Sequence, residues 1–337
     1  MAIRVYHVDL AEAQADPALA SLLGRSATSA PFDRLDWLRL LGEECLGAER
    51  CFLAVAREGE RIAALPLCET AFGYEQLGNW YSFRVGPRGG DDALLAALVA
   101  RLRRPLRLQP MLREDAERLA RALRRAGWMG RSEPCGVNYF TDLSSGSFED
   151  WWARRPGALR ETVRRKGRAG TVALSIATDF ADSDWDAYEA VYARSWKPAE
   201  ASPRFLRRFA RAEAEAGALR LGLARIDGEP VAAQFWTVEG GTAWIHKLAH
   251  DERFAARSPG TLLSHAMFAR AIEVDRVTRI DFGTGADAYK RDWMDAVRPL
   301  HALEFHRPFS PASWLRLARL AARALVKRPL VLPPGAG

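Results

Sequence analysis

Two segments of the chain, REGERIAALPL at 57–67 and RIDGEPVAAQFW at 225–236, align without gaps and decide the fold that we predict. They share an acid–Gly–Glu–x–aliphatic–Ala–Ala core, in which Gly59 matches Gly228 at an offset of 169 residues. In each segment a glycine separates two apolar runs, a pattern typical of a β-hairpin. Internal repetition of this kind changes the number of domains that a sequence predicts.

The same offset extends the repeat beyond the hairpins. It brings the predicted helix at 92–102 opposite the one at 261–274, and the predicted strand at 106–110 near the one at 278–283. Because helices and hairpins mix in this order, we predict an α+β fold of two related domains in tandem. Each domain is expected to be a twisted mixed β-sheet flanked by helices.

The boundaries of these domains follow from composition. We expect an N-terminal domain at 1–146, a basic helical connector at 147–170 that is broken at Pro156, and a C-terminal catalytic domain at 171–309. Residues 310–337 are expected to form a basic amphipathic helix and tail.

Composition limits the class of protein. The chain has 337 residues and 48 % of them are hydrophobic, which is enough for a full core. No apolar run approaches the roughly 18 residues of a membrane span, and the first residues lack a signal-peptide pattern. The four cysteines lack paired CxxC spacing and the histidines lack metal-ligand spacing. We therefore expect a reduced, cytoplasmic protein without a zinc site, any other metal or a disulfide framework.

The net charge of +7 is concentrated in two segments. Residues 154–168 carry seven basic side chains and one acid, and residues 311–328 carry five basic side chains and no acid. This pattern indicates anionic partners for those segments more than general nucleic-acid binding, and no DNA partner is expected. The second segment could lie on an anionic membrane at the inner face of the cell, or dock on the protein body, and its pattern suits both equally.

The stretch DFGTGADAYKRDW at 281–293 contains the spacing of a dinucleotide-binding turn, Gly283-x-Gly285-x-x-Ala288. Such a turn must open a helix that packs on the sheet, with further strand–helix units after it. Here a short charged segment and Pro299 follow, so we expect the glycines to end a strand sharply instead.

A better phosphate site precedes this stretch. Ser258, Pro259, Gly260 and Thr261 begin a predicted helix, and the first amides of a helix bind phosphate groups. The matching helix in the first half begins at Asp91 and Asp92, which repel anions. We therefore predict one donor site, in the C-terminal half.

These features together resemble the GNAT acetyltransferase superfamily, and more closely its tandem branch of CelD-like acetyltransferases, FemAB-like aminoacyl transferases and bacterial ceramide synthases. The matching segments lie throughout the chain to about residue 307: PFDRLDWL at 31–38, AALPL at 63–67, RETVRRKGR at 160–168, SPG at 258–260 and DFGTGADAYKRDW at 281–293.

The resemblance implies an acyl-CoA donor in a cleft between two splayed strands, with its pyrophosphate on the 258–262 amides. Residues implied for the donor are Arg253, Arg257, Ser258, Gly260, Thr261 and Leu262. Residues implied for the acceptor are Lys247, Gly283, Gly285, Asp287, Arg164 and Lys166.

The resemblance also implies the catalytic candidates. Tyr289 is expected as the acid that faces the CoA sulfur, and Lys290 matches a functional lysine of FemAB-like members. Only one of these neighbours is expected to face the cleft. His246 or Asp281 is the expected base. His246 and Lys247 alternate along a predicted strand, so one of them should face the site.

We therefore expect a cytoplasmic N-acyltransferase that uses acyl-CoA or an acyl carrier protein. Its acceptor is expected to be an amine or hydroxyl of an envelope precursor, such as an amino sugar, a polysaccharide unit or a sphingoid-type amine. Two alternatives remain: a FemAB-like aminoacyl transferase, and a non-catalytic GNAT-fold binding protein in exopolysaccharide assembly. The chain shows no heptad run for a tRNA-binding coiled coil, which ranks the first alternative lower.

Overall fold

The computed structural model describes residues 2–47, 49–143 and 146–308. The chain divides into two compact units: the first comprises 1–138 and the chain from Arg298 onward, and the second comprises 139–297. The predicted tail helix at 311–328, with the membrane contact expected of it, lies outside the described residues.

Among the described residues, the first unit contains six complete strands, most of a seventh strand, β7, and five α-helices. The strands are β1 (Arg4–Asp9), β2 (Arg50–Glu58), β3 (Arg61–Glu69), β4 (Tyr74–Gln76), β5 (Arg88–Gly89), β6 (Leu106–Met111) and β7 (Met129–Asp142). The helices are α1 (Leu10–Ala15), α2 (Pro17–Leu22), α3 (Leu35–Cys45), α4 (Asp92–Arg101) and α5 (Arg113–Arg125).

The second unit begins with helices and continues with a sheet. Its helices are α6 (Phe148–Ala153), α7 (Gly157–Arg168), α8 (Asp182–Ala193), α9 (Pro203–Glu215), α10 (Pro259–Glu273) and α11 (Lys290–Trp293). Its strands are β8 (Ala173–Ala177), β9 (Leu219–Ile226), β10 (Glu229–Glu239), β11 (Thr242–His250) and β12 (Arg279–Thr284). Strand β13 (Ala296–His306) begins in this unit and belongs to the first unit from Arg298 onward.

The duplication predicted from the hairpins is visible in the strand order. The first unit orders its strands β1-β2-β3-β4-β6 and the second orders them β8-β9-β10-β11-β12. In both series the first three pairs are antiparallel and the last pair is parallel. A helix connects the last two strands each time, α4 in one unit and α10 in the other. The predicted fold class, tandem mixed sheets with flanking helices, is confirmed.

Helix α10 packs closely on the sheet of the second unit. Its apolar side chains recur at helical spacing, and Leu263, Met267 and Phe268 are buried. Gly222 of β9 lies directly beneath it, and a Cβ at this position would lie 2.7 Å from Met267 Sδ. The glycine therefore permits the close approach that fixes where the first turn of α10 lies.

The cysteine prediction is wrong for one pair. Cys51 and Cys68 lie directly opposite each other in the β2–β3 ladder and form a disulfide. Their Cα atoms lie 4.2 Å apart because the two strands are neighbours in the sheet, although the cysteines are 17 residues apart in the sequence. Neither Cys45 nor Cys135 takes part in this disulfide.

The units differ from the predicted domains at two boundaries: the predicted end of the N-terminal domain at 146 and the predicted end of the C-terminal domain at 309. Residues 139–146 belong to the second unit, and residues 298–308 belong to the first. The physical reason for the second difference is that β13 pairs with β6, from His301 opposite Met111 to Phe305 opposite Leu106.

Candidate active site

The second unit contains a cleft between two strands that separate. Strands β11 and β12 pair in parallel at three positions, from Thr242 with Arg279 to Trp244 with Asp281. Strand β11 then continues to His250 while β12 ends at Thr284. A cavity of about 320 Å³, called the first cavity below, opens where this pairing stops. Its walls include Leu248, Ala249, His250, Phe282, Tyr289 and Trp293.

The first turn of α10 lines the same cavity through Ser258, Pro259, Gly260 and Thr261. Ser258 has a left-handed backbone, with φ of 54°, and its side chain makes no capping hydrogen bond to the helix. Pro259 occupies the first helical position, as expected. The helix therefore presents its N-terminal dipole and first-turn amides to the cavity without a carboxylate over them.

A buried hydrogen-bond chain holds this helix against the sheet. Trp236 Nε1 donates to Gln234 Oε1 at 3.0 Å, and Gln234 Nε2 donates to Ser264 Oγ at 2.7 Å. Gln234 is only 1 % exposed, so its amide is committed to these bonds. The chain fixes the distance between β10 and the start of α10.

The structure places Tyr289 and Lys290 differently. Tyr289 lines the first cavity, and its ring lies edge-on to Phe282 with centroids 5.7 Å apart. Burial, followed by the charge of Asp287, raises the pKa of the Tyr289 phenol well above 10. The phenol therefore stays protonated at neutral pH and can donate a proton or a hydrogen bond.

Lys290 turns away from the cavity wall. Its Nζ donates to the Thr284 carbonyl and lies 3.3 Å from Asp287 Oδ2. Burial lowers the pKa of Lys290, and Asp287 opposes that shift. Gly285, with φ of 104°, lies beneath the ammonium, and a Cβ there would lie 3.4 Å from Nζ. These contacts indicate that Lys290 holds the 284–289 turn, which carries Tyr289.

The two predicted bases are not among the side chains that line the first cavity. His246 Nε2 lies 2.8 Å from Thr237 Oγ1, and its ring packs against Phe209 and Phe235. Asp281 is 1 % exposed and accepts the Gly283 amide proton at 2.8 Å. This bond supports the sharp end of β12, where Gly283 has φ of 69°.

The predicted donor residues divide into two groups. Ser258, Gly260 and Thr261 line the first cavity, whereas Leu262 is buried and its amide already donates to the Ser258 carbonyl at 3.1 Å. The two arginines, Arg253 and Arg257, do not line it: Arg253 pairs with Asp251 and Glu229, and Arg257 is exposed.

The predicted acceptor residues are also dispersed. Lys247 forms an ion pair with Glu200 at 2.7 Å, and Asp287 pairs with Lys290. Arg164 is exposed on α7 and bonds to Glu161, while Lys166 is half-buried on the same helix.

The sequence analysis missed several residues of the first cavity, which are Trp196, Gln234, His250, Ser264 and Trp293. The His250 ring is tilted against the Trp196 ring, with ring centroids 4.5 Å apart, and burial lowers the pKa of its imidazole. The signal that could have found His250 is its position at the end of β11, shortly before the predicted phosphate site.

Comparison with solved structures defines the class of fold. The chain is similar to FemX, with a TM-score of 0.60 and 10 % identity over 93 % of this chain and 100 % of that one. It is similar to the C-terminal domain of a putative lysylphosphatidylglycerol synthetase from Agrobacterium fabrum, with a TM-score of 0.58 and 12 % identity over 96 % and 100 %. A tandem GNAT protein from the clavulanic acid biosynthesis pathway has a TM-score of 0.50 and 14 % identity over 90 % and 97 %. The fold is that of tandem GNAT proteins and is consistent with the FemAB-like branch.

A family model then identifies the domain. Residues 153–291 match the model described as "Acetyltransferase (GNAT) domain". With the structural neighbours, this match supports an N-acyltransferase enzyme. No curated protein matches the chain. Within the described ranges, no helix is long and apolar enough to cross a membrane and no cluster of three or more His, Cys, Asp or Glu could hold a metal ion.

Proposed function

We propose that the protein transfers an acyl group from a coenzyme A thioester to an amine, and that the thioester lies in the first cavity. The cavity occupies the opening between β11 and β12, where unpaired strand edges can bond to an extended donor. The donor's pyrophosphate would lie on the α10 amides around Gly260 and Thr261.

One observation carries this proposal: a helix N-terminus without a capping carboxylate and a partly buried tyrosine line the same cavity. The first binds the phosphates of a donor, and the second can protonate its leaving group. The finding that Tyr289, and not Lys290, lines the wall supports the tyrosine for that role.

The proposed reaction is a direct attack. The acceptor nitrogen forms a bond to the thioester carbonyl carbon, the carbon–sulfur bond breaks, and the thiolate takes the phenol proton of Tyr289. The amine must lose a proton. We assign its removal to His250, because this imidazole lines the first cavity and burial lowers its pKa, which keeps it neutral at neutral pH.

The acceptor class is proposed from the neighbours. One neighbour is named as a putative lysylphosphatidylglycerol synthetase, and this name of a lipid product favours an amine or hydroxyl of an envelope precursor as the acceptor. The same neighbours keep an aminoacyl-tRNA donor as the second candidate.

A donor screen by thermal shift tests the proposal. Coenzyme A and acetyl-CoA should raise the Tm of the full chain in a concentration-dependent manner, since a ligand that binds only the native state stabilises it. Acyl carrier protein loaded with an acetyl group and aminoacyl-tRNA form the other arms. Stabilisation by aminoacyl-tRNA alone would reject the CoA donor in favour of aminoacyl transfer.

A further inference from the structure

The second unit contains another cavity, of about 370 Å³, between α8 and α9. It is called the second cavity below, and its walls include Trp185, Tyr188, Tyr192, Lys197, Glu200 and Leu206. Such a volume holds on the order of a dozen water-sized groups. It is therefore suited to a small organic molecule or to the end of a larger one.

One wall of the second cavity is aromatic. Trp185, Tyr188 and Tyr192 recur at helical spacing along α8, so they share a face of the helix. The rings of Trp185 and Tyr188 lie 4.7 Å apart, and those of Tyr188 and Tyr192 lie 6.1 Å apart. All three are buried, which gives the cavity a preformed apolar surface.

The acids that line this cavity are already paired. Glu189 accepts a hydrogen bond from Trp185 Nε1 at 2.9 Å and lies 3.6 Å from Arg207. Glu200 lies 2.7 Å from Lys247 Nζ. Neither carboxylate therefore needs a cationic ligand.

The lysine that lines the cavity is different. Lys197 Nζ has no ion-pair or hydrogen-bond partner in the part of the chain that the structure describes, and its recorded contact is with the Trp196 ring at 5.5 Å. Burial, then the charges of Lys247 and Lys290, lowers the pKa of Lys197 to about 8. Trp196 lines the first cavity and the next residue, Lys197, lines the second, so the two cavities adjoin along this segment.

We propose that the second cavity binds the acceptor, and that the acceptor carries an apolar body and a carboxylate that Lys197 binds. This inference rests on the proposed function, because it identifies what the transferase acylates. The Lys197 ammonium forms no ion pair among the described residues, so it is available to an anionic group in the second cavity, and the limited volume favours a carboxylate as the smallest common anionic group. The aromatic wall on α8 would hold the apolar body.

The test is calorimetric binding of three probes without any donor: 3-phenylpropionate, 3-phenylpropan-1-ol and 3-phenylpropan-1-amine. They share a ring and chain and differ in head-group charge. The wild-type protein should bind the acid at least about tenfold more tightly than the alcohol, as a charge-assisted hydrogen bond predicts. Lys197→Met should abolish this preference, and Lys197→Arg should retain most of it.

Arg211→Met is the matched control, because Arg211 is an exposed cation of α9 whose ion pair is with Asp182, away from the cavity walls. It should keep the preference for the acid, and Tm values should show that every variant is folded. Equal binding of acid and alcohol to the wild type, no binding of any probe at millimolar concentration, or an unchanged preference in Lys197→Met would each overturn the proposal.

This design distinguishes failure of the coenzyme A donor proposal from failure of the carboxylate-site proposal. Coenzyme A binding is measured on the same preparations and depends on the first cavity. Acid preference without coenzyme A binding would reject the donor proposal and keep the carboxylate site, whereas coenzyme A binding without acid preference would do the reverse.

Discussion

The two units use the same strand order but differ in how far the strands extend beyond their parallel pair. Strand β4 has three residues and ends one residue after its last pair with β6, whereas β11 has nine residues and continues for six beyond its last pair with β12. The end of β11, which pairs with β10 but not with β12, forms a wall of the first cavity. The longer strand therefore accompanies the cavity in the second unit.

The helices that follow these strands, α4 and α10, also differ between the units, in how their N-termini are capped. At the start of α4, Asp91 accepts hydrogen bonds from the amides of Ala93 and Leu94, both at 3.0 Å, so its own carboxylate occupies the anion site. At the start of α10, Ser258 makes no such bond. A duplicated helix N-terminus is therefore capped by its own carboxylate in one unit and lacks a side-chain cap at Ser258 in the other, where we propose the anion site.

The largest effect is expected from Tyr289→Phe. Removing the phenol hydroxyl removes the proposed proton donor, and kcat for acyl transfer should fall about a hundredfold with little change in Tm. Tyr74→Phe, on β4 of the first unit, is the matched control and should change kcat less than about twofold. Wild-type turnover by Tyr289→Phe would exclude Tyr289 from the chemistry.

Lys290→Met should have the next largest effect. The variant loses the bonds to the Thr284 carbonyl and Asp287, so the turn that carries Tyr289 is released, and kcat should fall about tenfold. Arg291→Met changes the neighbouring exposed cation, whose recorded bond is to Tyr139, and should stay near wild type. If Lys290→Met lowered kcat as much as Tyr289→Phe while retaining the fold, Lys290 would have a direct chemical role.

The anion site can be closed with the residue that the first unit uses. Ser258→Asp places a carboxylate at the start of α10, and the dissociation constant of coenzyme A should rise at least about tenfold through repulsion of its phosphates. Ser258→Asn is the neutral control, and asparagine tolerates the left-handed backbone at this position. Equal affinities of the two variants would place the phosphates elsewhere.

The smallest effect concerns the first unit. Asp91→Ala removes the cap of α4 and should lower the free energy of unfolding by about 1 kcal/mol. Chemical denaturation measures this loss. Coenzyme A affinity should not change, and a weaker affinity in Asp91→Ala would mean that the first unit contributes to the donor site.

Much of the fold could be predicted because its signals are local. The hairpin strands, the helix after them and the Pro259 start of α10 all follow from short-range patterns, and the repeat located both copies. The disulfide was not predicted, although the register of the same hairpin places its two cysteines opposite each other. Cys51 lies eight residues before Gly59 and Cys68 lies eight residues after Glu60, so a two-residue turn brings the two cysteines opposite each other.

The candidate site was harder to predict where the pairing is irregular. Alternation along β11 predicts that His246 or Lys247 faces the donor cleft, but the ladder with β10 shifts register between Phe235 and Trp236. His246 falls at this shift and turns to Thr237. Lysine is rare in the chain: of its five lysines, Lys247 and Lys290 both act electrostatically on Lys197.

Hydrogen–deuterium exchange with and without coenzyme A tests the central claim most directly, because it reads the amides of both helix N-termini in one experiment. Coenzyme A should slow exchange in peptides that cover 258–264 and leave those that cover 91–97 unchanged. Slower exchange at 91–97, or no change at 258–264 at saturating coenzyme A, would contradict a donor site at the start of α10.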